Sequence, residues 1–267
     1  MSNRNRPGEK EDFPWWLLAA AGMGVYLAVQ VWQSPLYSQI MGTLTQGIGV
    51  TVMVTLISFV LASTLGLGLA LGERSRWLVL RQICRFYIEI IRGVPIIVLL
   101  LYVAFVLAPA LVDLRNWLAA FFEVDPVRSR AFPLMWRAVM ALMIAYSAFI
   151  AEIFRAGLDA VPEGQVEAAK ALGLSGWQRF RLVVFPQAIR TILPPLGNDF
   201  VALVKDSSLV SVLGVLDVTQ LGKVMAASNF RYFETYNMVA LVYLIMTVTL
   251  SLLLRRLEQH LRRRHET

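Results

Sequence analysis

Long apolar runs constrain this chain more than any other feature. Six of them, at about 14–31, 48–71, 88–111, 134–154, 193–213 and 238–254, are interrupted by few charges. As helices rising 1.5 Å per residue, such runs cross a hydrocarbon layer of about 30 Å. Inside lipid, a helix satisfies all its backbone N–H and C=O groups without help from water. Composition points the same way. Of 267 residues, 57% are apolar and 16% charged, whereas soluble domains carry about 25% charged residues. The chain is therefore expected to be an all-α membrane protein with about six transmembrane helices.

The charges then orient the bundle. Arg4, Arg6 and Lys10 precede the first run; Arg74, Arg76, Arg81 and Arg85 fill the second connection. Arg155, Lys170, Arg179, Arg181 and Arg190 fill the fourth, and Arg255, Arg256, Arg262, Arg263 and Arg264 follow the last run. The odd connections are poorer in cations: 112–133 balances Arg115, Arg128 and Arg130 with Asp113, Glu123 and Asp125. Because cytoplasmic loops collect Lys and Arg, both termini and the even connections are expected on the cytoplasmic side. The formal net charge of +7 thereby finds its explanation at the lipid surface, and no nucleic-acid partner is expected. Cys84 is the only cysteine, so no intramolecular disulfide can form and a small buried apolar residue is expected there. The late, charge-preceded first run, with Gln30, Trp32 and Gln33 behind it, does not resemble a cleaved signal peptide. In the second run, Ala62-x-x-x-Gly66 and Gly68-x-x-x-Gly72 allow close helix approach.

The fourth connection, 155–192, does not read as an ordinary loop. Pro162 can open a helix, with Glu163 and Glu167 near its positive end. Gly173 stands where a left-handed residue would stop that helix, and Ser175 with Gln178 matches a capping box that starts another at once. Pro186 is expected to end the second helix. The result would be a rigid elbow protruding on the cytoplasmic side.

Glu167-Ala168-Ala169, Gly173 and then Phe185-Pro186-Gln187 resemble the EAA-loop signature of ABC importer permeases. The runs IEIIRGVP (88–95), AYSAFIAEIFRAGLDAVPEGQ (145–165), FPQAIRTILPPLGNDF (185–200) and VKDSSLVSVLGV (204–215) are similar to the polar amino-acid subgroup. Phe185 replaces a usual Leu, and Ser207 a usual Thr. The resemblance spans about 40–257 and implies a five-helix type I importer core preceded by one extra N-terminal helix (14–39). Short cytoplasmic tails, 1–13 and 258–267, would flank them. It further implies a permease subunit of an amino-acid importer in a bacterial inner membrane, whose elbow couples to a separate ATPase through Glu167, Ala168, Ala169, Gly173 and Leu174. Implied partners are an ABC ATPase dimer carrying ATP and Mg²⁺, and a second permease subunit, identical or not. A periplasmic or lipoprotein amino-acid-binding protein would complete the set.

This chain itself is not expected to be an enzyme or to bind a cofactor or metal. Leu174-Ser175-Gly176-Trp177-Gln178 resembles an ABC ATPase signature, but no phosphate-cradling Gly-x-x-x-x-Gly-Lys-[Ser/Thr] run accompanies it. The two histidines, His260 and His265, lie in the tail, and no His-Glu-x-x-His motif exists. A membrane-embedded enzyme using Lys205 with Ser207 or Ser208, a passive channel, and a permease for another solute class are the competing readings.

Ionisable groups at membrane depth are costly and so are candidate functional groups. Lys205 lies about 18 Å along a helix from Leu193, near the midplane. Asn198 and Lys205 share one helical face, Asp199 and Asp206 the neighbouring one; the first pair is expected to line the translocation path and the second to pack or gate. Thr51 and Thr55, one turn apart, are candidate cavity hydroxyls. Glu89 with Arg92, and Glu152 with Arg155, are spaced as structural or gating ion pairs. Pro95, Tyr146 and Pro194-Pro195 are expected points of kinking or unwinding.

Overall fold

The computed structural model describes residues 15–263, which are helical apart from short connections and contain no strand among them. The expected tail at 1–13, residue 14 at the start of the first apolar run, and the chain beyond 263 lie outside the described residues. Eleven α-helices follow in order: α1 Trp15–Gln33, α2 Pro35–Glu73, α3 Leu78–Gly93, α4 Ile96–Tyr102, α5 Ala108–Ala120, α6 Leu134–Asp159, α7 Glu163–Ala171, α8 Gly176–Arg179, α9 Phe185–Asp206, α10 Val218–Asn229 and α11 Tyr232–Arg263. Among the described residues, four stretches are long and apolar enough to cross a membrane: Pro35–Glu73, Ile96–Ala120, Leu134–Asp159 and Tyr232–Leu257. Helix α9 is long enough but carries the polar stripe, and α1 precedes the set.

Several boundaries differ from those the apolar runs suggested. No loop separates the first two runs, because only Ser34 stands between α1 and α2. Pro35 opens α2, where a missing N–H is harmless, and α2 then continues for 39 residues, about 58 Å. The third run, 88–111, is cut in two. Val94, forced out of the helical region by the following Pro95, is extended at φ −99°, ψ 131°. Residues 88–93 therefore finish α3, and the crossing is made by α4, a π turn over Val103–Leu107, and α5. The fifth apolar run covers 193–213, but α9 begins at Phe185 and gives way after Asp206 to a 3₁₀ segment, Ser207–Leu213. Tyr146 sits inside the continuous helix α6, and Pro194 and Pro195 inside α9, so none of the three marks an unwound segment.

Helix α2 is the spine. In lipid, helices gain little from hiding apolar area, so close van der Waals packing must hold them together. Gly66 supplies it: a β-carbon there would lie 2.9 Å from the Ser147 carbonyl oxygen and 3.1 Å from the Ala151 nitrogen of α6. Val54 and Ala62 of α2, Leu100 of α4, Leu142 and Ile150 of α6, and Leu203 of α9 form the main core. A second cluster joins Ile40 and Leu44 of α2 to Val218 and Met225 of α10 and Met238 of α11. Here Gly47 is the close approach, with a β-carbon position only 2.6 Å from the Val218 nitrogen. Of the four small residues in the two expected motifs, Gly66 and Gly72 make such contacts, while Gly68 faces open space.

A buried cation, Arg137 of α6, serves the third crossing. It donates to the Ala104 carbonyl inside the π turn at 2.8 Å and to the Phe132 carbonyl at 2.9 Å. A π turn disturbs the usual bonding of helix carbonyls, and Arg137 answers it from the neighbouring helix.

Candidate functional site

The connection between α6 and α9 folds as a capped elbow. Pro162 caps α7, and Gln165 N–H bonds back to its carbonyl at 3.0 Å. Gly173 ends the turn at φ +75°. Its N–H donates to the Lys170 carbonyl at 2.9 Å, and Leu174 N–H donates to the Ala169 carbonyl at 3.1 Å. A glycine in the left-handed region permits this stop because it has no β-carbon to clash. Ser175 Oγ then accepts from Gln178 N–H at 3.4 Å, and Ser175 N–H donates to Gln178 Oε1 at 2.9 Å. Both halves of the capping box are formed, so the run resembling an ATPase signature is a helix start.

Pro186 does not end the second helix, contrary to the sequence reading. Helix α8 passes through a π turn, Phe180–Val184, into α9 without a break. A proline ring clashes with the carbonyl four residues earlier in an α-helix; the wider turn just before Pro186 relieves that contact. The elbow is thus continuous with the helix bearing the polar stripe. Of the coupling candidates, Glu167, Ala168 and Gly173 are exposed, Leu174 is half-buried, and Ala169 is buried at 3% exposure. Behind α7 lies a cavity of about 530 Å³, lined among others by Arg74, Asp159, Glu163, Glu167 and Lys170.

On α9, Asn198 and Lys205 are exposed and Asp199 and Asp206 half-buried. Tyr146 of α6 donates to Asp206 Oδ2 at 2.8 Å, and Asp199 Oδ2 is buried with no hydrogen-bond partner. The threonines are elsewhere than a cavity. Thr51 (0% exposed) donates to the Gly47 carbonyl at 3.1 Å and accepts from Val218 N–H at 3.3 Å. Thr55 (2%) donates to the Thr51 carbonyl at 2.8 Å. Threonine hydroxyls readily bond back one turn along a helix, and Thr51 also binds α2 to the start of α10.

The expected Glu89–Arg92 pair is not formed. Glu89 is exposed and makes no ion pair among the described residues, because Arg92 turns to Glu152 of α6 at 3.4 Å. Arg155 also binds Glu152 and approaches Glu73 at 3.9 Å, and Glu73 takes Arg85 at 3.6 Å. Arg74 pairs with Asp159. Sequence reasoning missed Glu73, Asp217 and Arg137. Asp217 is fully buried, caps α10 by accepting from Gln220 N–H at 2.8 Å, and accepts from Tyr243 at 3.0 Å. Its signal was present: an Asp followed three residues later by Gln is a capping pattern.

The described residues thus form a helical bundle with helices apolar enough to span a membrane and a capped elbow between α6 and α9. The chain belongs to the binding-protein-dependent transport system inner membrane components, whose family model matches residues 62–266. It is 36% identical over 219 residues to the glutamine transport system permease protein GlnP of Escherichia coli K12, covering 82% of this chain and 93% of that one. With the probable amino-acid permease protein YxeN of Bacillus subtilis 168, identity is 35% over 211 residues, 79% and 88% of the two chains. A crystal structure of an amino acid ABC transporter with histidines superposes with a TM-score of 0.70 at 35% identity, covering 84% of this chain and 96% of that one. The inward-facing MetNI methionine ABC transporter shares the fold, with a TM-score of 0.64 at 19% identity over 84% and 98%.

Proposed function

We propose that this chain is the permease subunit of an ATP-driven amino-acid importer in a bacterial inner membrane. The observation that carries the reading is the elbow: a nine-residue helix stopped at a left-handed glycine, re-started by a capping box, and exposing Glu167 and Ala168. A shape so firmly capped at both ends, yet bare on its outer side, suits docking of a partner. The similarity to GlnP and YxeN supports an amino acid as cargo.

In this reading 40–257 is the transporting domain, 14–39 an added anchor, and 1–13 and 258–267 are tails; both termini and the elbow face the cytoplasm. Two permease subunits, identical or not, join an ATPase dimer, and ATP and Mg²⁺ belong to that dimer. A periplasmic or lipid-anchored binding protein delivers the amino acid. Glu167, Ala168, Ala169, Gly173 and Leu174 engage the ATPase. Asn198 and Lys205, exposed on α9, line the path, while Asp199 and Asp206 face the neighbouring helices and position them. Alternating access then follows from relative movement of α9, which continues the elbow, against the α2–α6 pair.

Purifying the tagged chain from bacterial membranes in mild detergent tests this. An ATPase should accompany it, and Glu167→Lys should lose that ATPase while still inserting in the membrane. Recovery of the native chain as a lone monomer would contradict the reading.

A further inference from the structure

Helices α2, α3 and α6 share a chain of alternating charges that the function above does not use. It runs Arg85 (α3), Glu73 (α2), Arg155 (α6), Glu152 (α6), Arg92 (α3). Glu73, the last residue of α2, is its hub. The Glu73 side chain is only 8% exposed, whereas Arg85 and Arg155 are 61% and 46% exposed. Its carboxylate is placed there by packing one residue earlier: a β-carbon on Gly72 would lie 2.4 Å from Cys84 Sγ, so the end of α2 is pressed onto α3.

The contacts of Glu73 are half-made. Its two guanidinium partners stand at 3.6 and 3.9 Å, and its Oε2 is buried without any hydrogen-bond partner. A buried carboxylate oxygen without a donor is costly, and packing alone does not require an acid at the end of a helix. The group does, however, lie on the route from the elbow. The elbow leaves α6 at Asp159, which lines the cavity behind α7 and pairs with Arg74, the residue after Glu73. One turn back along α6 is Arg155, which meets Glu73; Glu73 meets Arg85; and α3 leads through Pro95 to the crossing at 96–120.

We propose that Glu73 is a positioning residue for transport, the carboxylate through which α3 is made to follow α6 when the elbow moves. This role rests on the permease reading. Without Glu73, Arg85 has no ionic partner among the described residues, and the polar ties left between α3 and α6 are the Arg92–Glu152 pair and the Tyr87 hydroxyl at the Ile144 carbonyl and Ser147 Oγ, all in the C-terminal half of α3. The N-terminal half of α3 is then held to α2 and α6 only by the packing around Cys84, and it lags behind α6 when the elbow moves.

Cys84, buried at 6% exposure beside Arg85, is a native reporter of that half of the helix. Its labelling by N-ethylmaleimide in membranes needs no knowledge of the cargo. With α3 released, Glu73→Gln should speed labelling on the order of tenfold, as expected when a helix end opens locally. Removing a carboxylate also raises thiol reactivity directly, since Glu73 helps to push the Cys84 thiol up. Arg85→Gln separates the two effects: the change in charge alone would slow labelling, whereas release of α3 speeds it. In vesicles holding the complete complex, Glu73→Gln should retain ATP hydrolysis within about twofold while uptake of labelled L-glutamine per ATP falls several-fold. Adding Arg155→Gln should cost little more, because both changes break one link.

If Glu73→Gln is poorly inserted, Glu73→Asp, which keeps the charge but shortens its reach, should show the same loss in smaller measure. Unchanged Cys84 labelling in Glu73→Gln overturns the proposal. So does faster labelling in Glu73→Gln with slower labelling in Arg85→Gln, or hydrolysis and uptake falling in equal proportion. The labelling arms stand apart from cargo identity, so a native complex that fails to import amino acids refutes the permease reading without deciding this one.

Discussion

Gly173 offers the sharpest test of how the elbow is built. Its φ of +75° is a conformation that L-residues rarely adopt, and a β-carbon added there would meet nothing within 4 Å. In the free chain the cost of Gly173→Ala is therefore backbone strain alone, about 1–2 kcal/mol. That corresponds to a roughly 5–30-fold shift in any equilibrium that opens the turn. Because the space is open, Gly173→Leu should cost the same as alanine, and Gly173→Asn less, since asparagine tolerates the left-handed region. Amide hydrogen exchange of the permease alone in detergent reads this out: the Leu172, Gly173 and Leu174 amides, bonded to Ala168, Lys170 and Ala169, should exchange faster in the Ala and Leu variants by that factor. An effect that grows from Ala to Leu would show that a steric contact, not φ, sets the residue. Exchange as slow as native in Gly173→Ala would refute the left-handed stop altogether.

Other outcomes follow from the same geometry. With Cys84 replaced by Ala, single cysteines at 198 and 205 should react with water-soluble thiol reagents, and their rates should differ between nucleotide-free and ATP-trapped complexes; cysteines at 199 and 206 should react far more slowly. Cys84 in the native chain has its thiol pushed up from the ordinary 9.0 by burial first and by Glu73 second. A raised value means that less than half of the thiol is ionised at pH 9, so labelling should rise further above that pH than the at most twofold left to a thiol with the ordinary value. Asp217→Ala removes the cap of α10, about 1 kcal/mol, and strips Tyr243 of a buried acceptor, about 1–3 kcal/mol. The melting temperature should fall measurably, and a native value would discount the network.

The elbow was largely legible because its signals are local. Pro162, Gly173, Ser175 and Gln178 each act on backbone within four residues, and the structure places each as the spacing implies. Helix ends governed by distant neighbours were not legible. Pro186 reads as a stop, yet a π turn absorbs it; 88–111 reads as one apolar run, yet Pro95 divides it. Pairing across helices was the least visible. Arg92 lies three residues from Glu89 but takes Glu152, sixty positions away, because α3 packs on α6. Thr51 looked like a cavity hydroxyl, although its partner is the amide of Val218, 167 positions on. No periodicity within a segment encodes such contacts.

In the proposed function this chain forms an amino-acid path whose opening is driven from outside the chain, through the elbow. Uptake into vesicles rebuilt from the complete complex measures it directly: labelled L-glutamine and a mixture of labelled amino acids outside, with or without Mg-ATP on the ATPase side. Accumulation that requires ATP, and that Glu167→Lys abolishes while the protein remains inserted, is the predicted result. Equal uptake with and without ATP, or full ATP-dependent uptake in Glu167→Lys, would contradict it.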